Sequence, residues 1–148
     1  MTNTNPEVKI KCRLRSGRAY GNRMGLTVIA NSNLIYQSNQ LCDDTLDLEF
    51  VSNLPLTLEF QVYGKTPGDT EVDHEGRILR DKCVILDGLS INDMWIKKWM
   101  LENKLISFCP DSARPRINNY FGQNGVASFN IPQSNLLEFW LDVMTVDH

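Results

Sequence analysis

Three acidic residues alternate with other residues in the longest polar stretch of the sequence, residues 64–76. Asp69, Glu71 and Asp73 are each separated by one residue, and the proline and glycines around them are typical of a loop. Calcium takes about six to eight oxygen ligands, which carboxylates in a turning loop can supply. The sequence therefore makes Asp69, Glu71 and Asp73 candidate calcium ligands, with calcium as the candidate cofactor.

An exposed hairpin explains the same spacing, with a turn over residues 73–76. In a regular strand the three carboxylates would share one side but spread over about 13 Å, because residues two apart lie roughly 6.6–7 Å from one another. A single ion with ligand distances of about 2.3–2.6 Å cannot bridge that span. The segment also lacks the full layout of an EF-hand loop. A hairpin with its acids outward is the interpretation that the sequence favours.

A row of four basic residues is the second feature with binding chemistry. Residues 8–15 alternate between apolar and basic side chains, so the two kinds take opposite faces of a strand. The outward members are Lys9, Lys11, Arg13 and Arg15. Such a row attracts polyanions such as phosphate, lipopolysaccharide core or nucleic acid. The favoured interpretation is a solvated sheet face that pairs with acids opposite, which Asp47 and Glu49 would supply at the matching period.

Aromatic residues of the second half could stack on the flat faces of sugar rings. They are Trp95, Trp99, Phe139 and Trp140. Residues 136–143 are predicted as a closing strand, so Phe139 and Trp140 must point to opposite sides of it. One of this pair then lies outside the core, where it could fill a subunit interface or form a ligand platform.

Catalysis has little support. His74 lies in the acidic turn and His148 is the last residue, so neither is placed among the partners of a nucleophile. The pair Asp43-Asp44 is turn-like, with no apolar pocket evident to raise a carboxyl pKa. The sequence predicts a protein that is not an enzyme.

Short strands with period-two alternation must position these residues. We predict strands over residues 8–15, 24–30, 34–38, 45–51, 56–63, 77–86, 126–131 and 136–143. Residues 16–23, 87–88 and 109–119 are predicted as turns or loops. Behind Ser90, the spacing of Ile91, Met94, Trp95 and Trp99 predicts one helix over residues 90–101. A pair of short strands is the alternative there. The fold class is all-β: an antiparallel sandwich, C2-like or jelly-roll-like, with one short helix.

Length, charge and cysteine content further restrict the class of protein. The 148 residues are predicted to form a flexible N-terminal arm, residues 1–7, and a single domain, residues 8–148. The net charge of −3 argues against general nucleic-acid binding, and no apolar run is long enough for a membrane span. The N-terminus lacks the layout of a signal peptide. Four scattered cysteines favour neither zinc nor a disulfide framework, and Cys12 and Cys83 are predicted to be reduced core residues.

Two stretches carry a family resemblance. The first is Gly64-Lys65-Thr66-Pro67-x-Asp69-Thr70-x-Val72-Asp73-x-x-Gly76-x-Ile78-x-x-Asp81-Lys82, which resembles C2-like, calcium-dependent, xylan-binding modules. The second is Leu86-Asp87-Gly88-Leu89 with Asn119-Tyr120-Phe121-Gly122-x-Asn124-Gly125 and residues 136–141. That half resembles small β-sandwich proteins of marine and cyanobacterial bacteriophages.

The resemblance implies a noncatalytic sandwich with one of two functions. The first is a virion-associated structural or adsorption protein, assembled in the host cytoplasm, whose partners are other virion subunits or further copies of itself in a homo-oligomer. The alternative is a calcium-dependent carbohydrate-binding module that recognises host surface glycans. In such modules loop carboxylates hold the ion, and only Asp69 and Asp73 of this sequence can be matched to them.

Overall fold

The structure is a computed structural model that describes residues 6–66, 68–111 and 113–145. Most of the predicted N-terminal arm and the last three residues of the predicted domain lie outside these ranges, and Glu7 already begins the first strand. The elements are β1 (Glu7–Ala19), β2 (Asn22–Arg23), β3 (Gly25–Ala30), β4 (Asn33–Ser38), β5 (Thr45–Asn53), β6 (Leu56–Tyr63), β7 (Thr70–Val72), β8 (Ile78–Asp81), β9 (Cys83–Ile91), β10 (Met94–Trp95), α1 (Lys98–Asn103), β11 (Ser107–Pro110), β12 (Arg116–Ile117), β13 (Tyr120–Phe121), β14 (Gly125–Ile131) and α2 (Leu136–Thr145).

The first sheet is built around β1. This strand pairs antiparallel with β5 on one side and β9 on the other, while β10 and β13 pair with opposite ends of β9. Burial alternates along β1 as the apolar–basic pattern predicts, because successive side chains of a strand take opposite faces. Its buried members include Val8, Ile10, Cys12 and Leu14.

The second sheet has the order β12-β11-β14-β6-β3-β4, and all its pairs are antiparallel. The two sheets face each other across one apolar core. Phe121 of the first sheet meets Phe60 and Phe108 of the second, with ring centroids 6.4 and 5.0 Å apart. The predicted all-β antiparallel sandwich is confirmed, with two helices in place of the single predicted one.

The segment after residue 76 departs from the predicted single strand. It forms two strands, β8 in a separate hairpin with β7, and β9 in the first sheet. Asp87 and Gly88, predicted as a turn, lie inside β9. The register between β1 and β9 shifts at Arg13 and Leu14, so that Asp87 is the extra residue of a bulge.

The helix predicted over residues 90–101 is wrong over its first half, where the alternative of two short strands is confirmed. β9 runs through Ile91, and Asn92 and Asp93 form the turn to β10 with φ of 50° and 67°. Two consecutive left-handed residues are the geometry of a tight two-residue hairpin. The helix α1 begins only at Lys98. Neither helix of the described chain is long and apolar enough to cross a membrane.

The closing strand predicted over residues 136–143 is also wrong, because this segment is the helix α2. The spacing of its apolar residues fits the period of a helix as well as the period of a strand. Phe139 is buried and meets Phe129 edge-on, with centroids 6.0 Å apart. Trp140 is partly buried against the same core and lies 5.2 Å from Phe139. The two rings therefore pack together on one helix and do not point to opposite sides of a strand.

Candidate functional site

The basic row predicted on β1 faces outward, and two of its members pair with β5 as expected. Lys11 lies opposite Glu49 and Arg13 opposite Asp47 in the ladder. Nζ of Lys11 is 3.7 Å from Oε1 of Glu49, and Nε of Arg13 donates to Oδ1 of Asp47 at 3.0 Å. Exposed ion pairs of this kind contribute only about 0–1 kcal/mol each, so they order the face more than they stabilise the fold.

The β9–β10 turn holds the other end of this row. Asn92 exchanges two hydrogen bonds with the backbone of Lys9: its N–H donates to the Lys9 carbonyl, and its Oδ1 accepts from the Lys9 N–H, both at 2.8 Å. The carboxylate of Asp93 binds Nζ of Lys9 at 2.9 Å and Nζ of Lys11 at 3.1 Å. Hydrogen bonds from these two ammonium groups lower the pKa of Asp93. The turn is thereby fixed to β1.

Trp95 is placed on the outer face by this turn. It pairs with Ser90 of β9, which in turn pairs with Lys11 of β1, so the three side chains share one face of the sheet. The indole is 51% exposed and lies against Gly88, which has no side chain to hold it away. The guanidinium carbon of Arg13 is 5.8 Å from the ring centroid, within the range of a cation–π contact.

These residues surround a shallow depression of about 260 Å³. We call it the Trp95 face, and it is lined by Lys11, Cys12, Arg13, Asp47, Leu48, Glu49 and Trp95. It combines a flat aromatic surface with two cations and two carboxylates, all able to hydrogen-bond a polar ligand. The thiol of Cys12 does not take part, because it points into the core from the other face of β1; burial there raises its pKa to about 12.

Trp95, Lys11 and Arg13 were each candidate binding residues from the sequence, but the helix predicted over residues 90–101 did not place Trp95 beside the other two. Two signals could have found this arrangement. Asn92-Asp93 between two apolar residues is typical of a hairpin turn. An isolated glycine in a strand, here Gly88, indicates a close approach of another group to the backbone.

The first of the three candidate calcium ligands, Asp69, is engaged by the protein. Its Oδ2 accepts hydrogen bonds from the N–H and Oγ1 of Thr66 at 2.7 and 2.9 Å, and Nζ of Lys82 lies 3.2 Å away. These bonds, the one from the Thr66 backbone foremost, lower the pKa of Asp69.

The other two candidates have separate partners. Asp73 accepts from the N–H groups of Glu75 and Arg77 and from Nε of Arg77, at 2.9 to 3.0 Å. Glu71 lies across the hairpin from Arg80, with 3.8 Å between its Oε2 and Nη1 of the arginine. Within residues 6–66, 68–111 and 113–145, no group of three or more His, Cys, Asp or Glu side chains is placed to share a metal ion. The three carboxylates are not brought together and do not fit a calcium site.

A polar network that the sequence analysis did not predict lies beside this hairpin. Oδ1 of Asp81 accepts from Nζ of Lys65 at 2.6 Å and from Oγ1 of Thr70 at 2.7 Å, and its Oδ2 accepts from the hydroxyl of Tyr120. Burial alone would raise the pKa of Asp81, but these hydrogen bonds outweigh it and hold the pKa below its usual range. The side chains of Asp81 and Lys65 are each only 16% exposed.

An open cleft of about 570 Å³ adjoins this network, between the segment that includes Lys65 and the turn at residues 122–124. Asn124 ties the two sides together, because its side-chain amide exchanges hydrogen bonds of 2.9 Å with the backbone N–H and C=O of Lys65. Lys65 and Asp69 of the cleft already have protein partners, and its lining includes no aromatic side chain. We therefore place the candidate site on the Trp95 face.

Comparison with protein-family models and with curated proteins gives no match. A similar solved structure is the selenomethionine form of vCBM60, described in connection with a circular permutation that links two families of calcium-dependent carbohydrate binding modules. The two structures superpose with a TM-score of 0.52 over 83% of this chain and 90% of that chain, at 12% sequence identity. This chain therefore shares the β-sandwich fold of a carbohydrate binding module.

Proposed function

We propose that this protein is a noncatalytic glycan-binding module that holds a saccharide on the Trp95 face. The observation that carries the proposal is the half-exposed indole of Trp95, fixed on Gly88 and flanked by Arg13. Tryptophan is enriched at binding interfaces, because its apolar ring and its N–H group can both meet a partner.

The chemistry of the face matches a saccharide. A pyranose ring presents a flat side of C–H groups, which packs on an indole, and a rim of hydroxyl groups, which need donors and acceptors. Arg13 and Lys11 donate, and Asp47 and Glu49 accept, and hydrogen bonds to charged groups are stronger than those between neutral groups. The sandwich fold shared with vCBM60 supports the proposal at the level of architecture.

Glycan binding on this face does not use the 69–73 loop. The carboxylates of Asp69 and Asp73 are held by Thr66, Arg77 and their neighbours, and the loop belongs to the β7–β8 hairpin of a separate sheet. The ligand is held by side chains alone, and its binding is independent of calcium.

The test is a glycan array followed by calorimetry on the glycans retained, in calcium and in EDTA. We expect binding in both buffers, and its loss in Trp95→Ala. Trp99→Ala is the matched control, because Trp99 is 41% exposed on α1 and is not part of the face. Glycan binding that survives Trp95→Ala, or an array without any retained glycan, would contradict the proposal.

A virion-associated role with virion subunits or further copies of the chain as partners, and assembly in a host cytoplasm, stay predictions from the resemblance. One observation that favoured subunit contacts was an aromatic residue outside the core at Phe139 or Trp140. That observation no longer holds, since the two rings pack together on a helix. A glycan-binding protein of this kind is compatible with adsorption to a host surface. Mass spectrometry of purified particles would test the prediction.

A further inference from the structure

The outer face of the first sheet continues beyond Trp95 to a second depression. This groove has a volume of about 310 Å³, and its lining includes Arg15, Ser16, Asp44, Thr45 and Ile85. We call it the Arg15 groove. Arg15 lies two residues from Arg13 on the same face of β1, about 6.6–7 Å along the strand, so one extended ligand can reach both places.

Arg15 differs from Lys11 and Arg13 in the residues that lie opposite it on the neighbouring strands. Lys11 and Arg13 lie opposite carboxylates on β5. Arg15 instead lies between Thr45 on β5 and Ile85 on β9, neither of which carries a charge. Its guanidinium is therefore the member of the row best placed to take its counter-charge from a ligand.

The carboxylate of the groove, Asp44, is already held by another arginine. Nη2 of Arg23 donates to Oδ1 of Asp44 at 2.6 Å, and the side chain of Arg23 is only 8% exposed. This hydrogen bond, followed by the charges of Arg23, Arg18 and Arg15, lowers the pKa of Asp44. The three arginines whose charges act on Asp44 outnumber the two acids of this segment, Asp43 and Asp44.

We propose that the ligand of the outer face is an acidic glycan, whose carboxylate or sulfate group binds in the Arg15 groove while an adjoining sugar ring stacks on Trp95. This inference rests on the proposed glycan-binding function and adds the class of saccharide. Arg15 supplies the charge, and the hydroxyl group of Thr45, opposite Arg15 on β5, can donate to an oxygen of the anion.

The experiment compares the binding of four polymers by calorimetry: polygalacturonate, dextran sulfate, and the neutral polymers galactan and dextran. A DNA oligonucleotide of similar length serves as a polyanion without pyranose rings. We expect an acidic polymer to bind at least about tenfold more tightly than its neutral counterpart, as one charge-assisted hydrogen bond provides. We also expect no comparable binding of the oligonucleotide. The two acidic polymers together distinguish a carboxylate from a sulfate preference.

Three variants distinguish the preference for acidic glycans from the proposed glycan binding itself. Arg15→Gln should lower the affinity for the acidic polymer about tenfold and leave any neutral binding unchanged. Trp95→Ala should abolish both. Arg116→Gln removes the same charge from β12, the edge strand of the second sheet, and should change neither. Equal affinity for acidic and neutral polymers, or an unchanged affinity in Arg15→Gln, would overturn the acidic preference while glycan binding stands. Binding of the oligonucleotide as tight as that of the acidic polymers would show general polyanion binding instead, and no binding of any polymer would refute the proposed function.

Discussion

A methyl group added at Gly88 would lie 3.0 Å from Cζ3 of Trp95, so the indole rests directly on the backbone of the neighbouring strand. The same methyl group would lie 3.4 Å from Cβ of Arg13. The absence of a side chain at this position therefore determines the height of the ring above the sheet and its distance from the arginine.

Gly88→Ala should lower glycan affinity with little effect on folding. The added methyl group displaces the indole by a few tenths of an ångström, while the loss of glycine flexibility offsets the strain by roughly 0.5–1 kcal/mol. Calorimetry and urea unfolding measure the two effects. The control is the same substitution in a Trp95→Ala background, where it has no ring to displace and should not destabilise the protein. A large loss of stability in both backgrounds would show that Gly88 serves the fold and not the ring.

Ser90→Ala should leave the free energy of unfolding unchanged or raise it by up to about 1 kcal/mol. The hydroxyl of Ser90 is buried and has no hydrogen-bond partner among the described residues, so its removal relieves a desolvation cost. Ser52→Ala is the matched control. That hydroxyl is also buried but accepts a hydrogen bond from Nδ2 of Asn31 at 3.3 Å, so its loss should destabilise. Urea unfolding of both variants checks the contrast, and a clear loss of stability in Ser90→Ala would show that its hydroxyl has a partner.

Asp81→Asn should lower the free energy of unfolding by about 1–3 kcal/mol at neutral pH, because it weakens the charged hydrogen bonds from Lys65 and Tyr120. The pKa of Asp81 is lower in the folded protein than its value of about 3.9 in an unfolded chain. Its contribution is therefore complete above about pH 4 and is lost as the pH falls through the folded-state pKa.

Urea unfolding of wild type and Asp81→Asn from pH 7 to pH 2 measures this dependence. The difference between the two proteins should shrink below about pH 4. Asp47→Asn is the control, since its exposed pair with Arg13 contributes only about 0–1 kcal/mol. A difference that stays constant over the whole pH range would mean that Asp81 acts through packing and not through its charge.

Calcium should not bind the loop that carries Asp69, Glu71 and Asp73. Each carboxylate already has its own hydrogen-bond or cationic partner, and an ion would have to displace these before gathering the oxygens within about 2.3–2.6 Å. Calorimetry of calcium into wild type and Asp73→Asn tests this expectation. Heat in the wild type that disappears in the variant would establish the site.

The cysteines should divide into two classes of reactivity. Burial raises the pKa of Cys12 to about 12 and also raises that of Cys83, so neither forms the reactive thiolate near neutral pH. Cys42 and Cys109 are exposed. Mass spectrometry after brief treatment of the folded protein with iodoacetamide should find label on the exposed pair alone. Label on Cys12 under the same conditions would mean that β1 opens readily.

The sandwich could be predicted from sequence because β1 and β5 each obey a period of two. The pairing of Arg13 with Asp47 followed from the same pattern. The Trp95 face was not predicted, because the segment that carries Trp95 fits both a helical period and a hairpin of two strands. Met94 and Trp95 fit a helical spacing, and only the backbone of Asn92 and Asp93 turns them back as a hairpin. Gly88 indicates a close approach to the backbone, but the sequence alone does not show which side chain makes it.

The two hydrogen bonds between Asn92 and the backbone of Lys9 have a thermodynamic consequence for recognition. They extend the ladder of β1 into the turn and tie the hairpin that bears Trp95 to the sheet. A loop that must become ordered on contact loses part of its interaction energy to entropy. In the proposed complex the turn is ordered before binding, so little of the free energy of stacking is lost to ordering it.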